Sequence, residues 1–85
     1  MGRRGKEGYE IPLAPIDRIL HQESGQRVSD EAVRRLRDFL EKLARQLAKD
    51  SAEFAQHAGR RTIVAEDVDM AIKRLYRELG FLLGV

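Results

Sequence analysis

Arg60, Arg61 and Thr62 stand side by side in the stretch HAGRRTIVAEDVDMAI (57–72), and Glu66, Asp67 and Asp69 follow close behind. Two guanidiniums and a hydroxyl on one turn are equipment for holding an anion, because arginine presents five donors in a fixed fork that matches phosphate or carboxylate. The plainer alternative is a solvated turn followed by a helix whose first-turn acids face its positive end. Other chemistry is poorly served. The chain has no cysteine, so disulfides and thiolate metal sites are excluded. His21 and His57 lack ligand spacing for zinc. His21, His57, Ser29 and Ser51 have no triad-like spacing, and no glycine-rich phosphate loop is present. The residues therefore indicate a binding protein, not an enzyme, with no cofactor, no metal and no small-molecule substrate.

The elements that must position this turn are short to describe. Eighty-five residues make one small domain, which buries only about 60–65% of its unfolded surface and leans on self-association for more. Residues 1–10 hold three glycines and five charges, Arg3, Arg4 and Lys6 against Glu7 and Glu10, and read as a flexible basic tail. No apolar run follows those bases to make a signal peptide, and no stretch approaches the roughly 18 apolar residues of a membrane span. The expectation is a soluble, intracellular protein.

Pro12 and Pro15 introduce a short helix, with Pro15 suited to its first position and Ile16, Ile19 and Leu20 making one apolar face. Ser24-Gly25-Gln26 ends it. Ser29 is a good N-cap for a second helix, with Asp30 and Glu31 in its first turn. Neither proline nor glycine interrupts the chain from there to Gly59. Ala32, Leu36, Phe39, Leu40, Leu43, Leu47 and Phe54 keep helical spacing, with Ala44, Ala48 and Ala55 beside them. Over 29–57 six basic and six acidic residues cancel, so the uncompensated charge lies in the tail and on Arg60 and Arg61. Gly59 suits the end of the long helix. Ala65-Glu66-Asp67 opens a third helix, with Val68, Ile72, Leu75 and Leu79 on one face and Gly80 as its stop. The expected division is a tail over 1–10, a helical domain over 11–79, and a short apolar extension over 80–85. One short and one medium helix cannot cover a rod of this length, so its stripe calls for a second copy, and periodicity predicts an obligate helical dimer.

In order and spacing, LAPIDRIL, RVSDEA and HAGRRTIVAEDVDMAI resemble the archaeal histones, over about residues 10 to 77. The resemblance implies an all-α histone fold: short helix, loop, long central helix, loop, medium helix, in a head-to-tail intertwined dimer. It implies that double-stranded DNA is the partner, that tetramers or larger assemblies form on it, and that the protein is cytoplasmic and associated with the nucleoid. It assigns Arg27, Arg60, Arg61 and Thr62 to DNA phosphates at each end of the dimer, and Arg18 to the groove at the dimer centre. The helix start at Ser29 would offer backbone N–H groups to phosphate. It also places Phe54, His57 and Asp67 at a dimer–dimer contact and pairs Asp67 with Arg60 of its own chain, two roles that one carboxylate has lone pairs enough to combine.

Several readings stay open. Arg27 has Asp30 and Glu31 within reach of a salt bridge. Asp17, where many relatives have a small residue, either repels phosphate or fixes Arg18. Arg3, Arg4 and Lys6 either add phosphate contacts or only solubilise. Leu79, Phe81, Leu82, Leu83 and Val85 either fold back on the dimer or meet another one. Val64 has no hydroxyl to cap the third helix, which leaves that task to the acids that follow. The competing function is a histone-fold subunit of a transcription or chromosome complex that acts mainly through heterodimerisation.

Overall fold

The computed structural model describes residues 8–84, with the side chains of residues 81–83 left aside. Three helices account for most of it: α1 Leu13–Ser24, α2 Asp30–His57 and α3 Ala65–Leu83. No strand occurs among the described residues. The chain divides into two compact units, Met1–Leu43 and Ala44–Val85, the boundary falling within the sequence of α2.

In the first unit α1 begins two residues before the expected start. Pro12 occupies the N-cap with extended backbone (φ −71°, ψ 156°), and Pro15 sits third. Its missing N–H costs nothing there either, since the first four amides of a helix have no intrahelical acceptor. The Gly25 N–H closes α1 by donating to the His21 carbonyl at 2.8 Å. Ser29 caps α2 as expected, its Oγ accepting the Ala32 N–H at 3.1 Å. Ile16 and Val33 are the buried apolar residues of this unit; Val33 lies outside the expected stripe.

A second fastening joins sequence-distant parts. Glu41, only 4% exposed, accepts the Glu10 N–H on both carboxylate oxygens (2.9 and 2.8 Å) and the Ile11 N–H on one (2.8 Å). A buried carboxylate needs such donors. Arg37 adds a hydrogen bond to the Ile11 carbonyl at 3.0 Å and stacks on Tyr9, 4.1 Å from the ring centre. It also donates to its neighbour Asp38 at 2.8 Å. Tyr9 and Glu10, expected in a flexible tail, are therefore strapped to α2.

In the second unit α2 ends on a glycine turn. Gly59 takes φ 74°, its N–H donating to Gln56 and the next amide, of Arg60, reaching back to Ala55, both at 2.9 Å. That pair of bonds is the Schellman arrangement, which glycine favours because no Cβ opposes the left-handed backbone. α3 then runs through Gly80, the expected stop, to Leu83. A helical glycine costs only about 1 kcal/mol against alanine, and the left-handed backbone comes instead at Gly84 (φ 75°). Residues 80–83 thus continue α3. Ala55 and Ala71 are this unit's buried apolar residues, while Phe39 of the first unit (60% exposed) and Tyr76 and Leu79 of the second stay open.

Candidate nucleic-acid interface

The loop between α2 and α3 is built around one carboxylate. Asp67, 1% exposed, takes two hydrogen bonds from Arg60, Nη1 to Oδ2 at 2.7 Å and Nη2 to Oδ1 at 2.9 Å. Its Oδ2 also accepts the Val64 N–H at 2.8 Å. Val64 immediately precedes α3, and Asp67 is the third residue of that helix. The acid therefore supplies the side-chain cap that Val64 lacks, as the third-position acid of a capping box does. Arg60 Nη1 closes the loop further by donating to the Thr62 carbonyl at 3.0 Å.

The electrostatics follow from these bonds. The Arg60 hydrogen bonds, then the Val64 N–H, hold the Asp67 carboxyl down at about 2 against an ordinary 3.8, although burial opposes them. The same partnership, chiefly the hydrogen bond to Asp67, raises Arg60 above its ordinary value. In space, then, the turn is less cationic than its sequence. Arg60 is matched by Asp67, and Arg61, exposed beside exposed Thr62, carries the remaining charge. A rigid turn of this kind presents an arginine and a hydroxyl to solvent from a fixed backbone, which suits phosphate oxygens.

The other expected residues fall in two places. In the first unit, Arg18 is exposed on α1 and Arg27 is exposed in the loop before α2. The Ser29 hydroxyl is occupied as the α2 cap. Asp17 pairs with His21, Oδ1 to Nε2 at 3.2 Å, and so does not fix Arg18. In the second unit, His57 is exposed at the end of α2 and Phe54 is half-buried. Arg3, Arg4 and Lys6 lie outside the described residues. Sequence reasoning missed Arg74, whose guanidinium lies 4.6 Å from the Phe54 ring centre and whose Nη1 is 3.5 Å from both Asp50 and Glu53. Only a folded α3 brings residue 74 back to residue 54. No group of three or more potential ligands for a metal ion occurs among the described residues, and no helix there is long and apolar enough to cross a membrane.

Short helix, long helix and medium helix, joined by one arginine-bearing loop and one buttressed arginine turn, follow the element order of the histone fold. The chain belongs to the family described as histone-like transcription factor (CBF/NF-Y) and archaeal histone, whose model matches residues 9–72. It is 47% identical over 64 residues to one of the subunits of archaeal histone HAN1 from Thermococcus zilligii, covering 75% of this chain and 96% of that protein. To probable archaeal histone 3 of Methanocaldococcus jannaschii it is 41% identical over 64 residues, with the same coverage of 75% and 96%. To histone H4 of Dictyostelium discoideum it is 35% identical over 72 residues, 84% of this chain and 67% of that protein.

Proposed function

We propose that this chain is an architectural DNA-binding histone that acts by binding and not by catalysis. As a head-to-tail homodimer, and as tetramers or larger assemblies on DNA, it wraps and compacts duplex with little sequence specificity. The observation that carries the reading is the Asp67-braced turn, which offers Arg61 and Thr62 from a fixed frame. Arg27 and Arg18 supply further exposed charge. In the dimer, the Arg27 loop of one chain would adjoin the Arg61 turn of the other. Backbone contacts of this kind neutralise phosphate and leave selectivity to how easily the duplex bends. Arg3, Arg4 and Lys6 are assigned to further phosphate contacts, and Phe54, His57 and Asp67 to the contact between dimers. The place of action is the chromosome, in the cytoplasm.

The test is nuclease digestion of random-sequence DNA loaded with the purified chain. Protected fragments in regular increments are expected. A single short footprint would mean isolated dimers, and no protection would overturn the reading.

A second reading has one specific support: the Thermococcus zilligii relative is by name one of the subunits of its histone. On that reading this chain pairs with a different histone-fold chain and works mainly through that partner. Compaction of DNA by the purified chain alone argues for the homodimer. Compaction only after a second histone-fold chain is added argues for the heterodimer.

A further inference from the structure

Of the three residues assigned to the contact between dimers, His57 alone stands open to solvent. Asp67 is buried and engaged with Arg60 and the Val64 N–H. Phe54 is half-buried, and one face of its ring is taken. Arg74 lies against it at 4.6 Å from guanidinium carbon to ring centre, close enough that no second ring or aliphatic chain fits between. The guanidinium is in turn held by Asp50 and Glu53, each at 3.5 Å, and its side chain keeps 34% of its surface exposed.

We propose that Arg74 limits the strength of the dimer–dimer contact by occupying the face of Phe54. This rests on the assignment of Phe54 and His57 to that contact. A second dimer settling on Phe54 must either bury the guanidinium together with its two acids or push it aside. Burial strips water from three charges, and the attraction among them does not recover the loss unless every donor finds a partner. Displacement gives up the stacking on Phe54 and both ion pairs. Either way, free dimers associate weakly. Dimers bound side by side on one duplex are held at high effective concentration, so the same weak contact suffices there. Arg74 thereby ties assembly to the presence of DNA. The arrangement needs a cation at 74 with acids at 50 and 53, three positions on two helices of the second unit.

The experiment is sedimentation equilibrium of the full chain without DNA, with thermal unfolding of each variant as a check on folding. Arg74→Leu should strengthen association of dimers into tetramers by about tenfold or more, which is about 1.4 kcal/mol or more. Arg74→Gln, which removes the charge while staying polar, should strengthen it less. Arg74→Lys, which keeps the charge, should leave it weak. Adding His57→Ala to Arg74→Leu should cancel the gain. If Arg74→Leu and Arg74→Gln leave association unchanged or weaker while His57→Ala alone reduces it, the limiting role is wrong and the assignment of the contact stands. If the gain survives His57→Ala, the new leucine has made a contact elsewhere, and both the proposal and the assignment fall.

Discussion

Arg60 and Asp67 lie seven residues apart and grip each other through two parallel hydrogen bonds, 2.7 and 2.9 Å long, across the turn that joins the long helix to the third. The pair joins the end of one helix to the start of the next. Asp67 caps α3 through the Val64 N–H, and Arg60 supplies the amide that closes α2. Breaking the pair disturbs both helix ends and the loop between them.

Acid should undo this grip over a defined range. The Asp67 carboxyl is held at about 2 when folded, below its ordinary 3.8. A group whose folded value is depressed stabilises the fold above its unfolded value and loses that contribution as pH falls through the folded value. The melting-temperature gap between the native sequence and Asp67→Asn should therefore be widest near neutrality, begin to shrink below about pH 4, and close near pH 2. A gap independent of pH would show that the ion pair is not its source.

Arg61 and Arg60 should behave differently despite being neighbours. Arg61→Ala removes an exposed charge and should leave the melting temperature unchanged while weakening all duplexes alike. Each lost phosphate contact should lower the slope of log K against log salt by about 0.9. Arg27→Ala should match it. Arg60→Ala should lower the melting temperature as well, because Asp67 is left buried without its cation. Loss of binding on one sequence but not others, measured by titration across several duplexes, would contradict contacts made to the backbone.

Glu41 should be needed for order in the segment ahead of α1. Glu41→Ala leaves the Glu10 and Ile11 amides without the carboxylate that holds them, open to exchange with water. Faster hydrogen exchange at those two amides, with exchange in α3 unchanged, is the expected result. Unchanged protection would mean that contacts other than the Glu41 carboxylate hold the segment.

Phe39 should report on the dimer. It is 60% exposed in the single chain, in the middle of the long helix and among the residues of its apolar stripe. Phe39→Glu places a charge where the second copy is expected and should convert a dimeric mass by light scattering into a monomeric, largely unfolded one. A variant that stays dimeric would move the interface elsewhere on α2.

Most of the fold was legible because it rests on local signals. Ser29 with Asp30 and Glu31, the uninterrupted run to Gly59, and Ala65-Glu66-Asp67 mark helix ends within a residue or so, since caps act over one turn. Gly80 misled for the same reason: as a stop signal it was outweighed by the helix formers around it, and Gly84 was the true turn. The connections among the candidate residues were harder to read than the helix ends. Arg60 and Asp67 are close enough in sequence that their pairing could be entertained. The strap from Glu41 to Glu10 and Ile11 spans 30 residues or more, and Arg74 meets Phe54 across 20 positions, so neither leaves a periodic trace. Counting Arg60 as uncompensated also overstated the turn's charge, because Asp67 pairs with it in space.

The described chain conceals only Ile16, Val33, Ala55 and Ala71 as apolar interior, two in each unit. With so little of its own to hide, a lone copy should resist melting poorly, and acquiring shape and acquiring a companion should become one bimolecular event. Its melting temperature should then climb as the sample is concentrated and sink on dilution. Inside a cell, abundance itself would decide what fraction of the chains exists as structure at all.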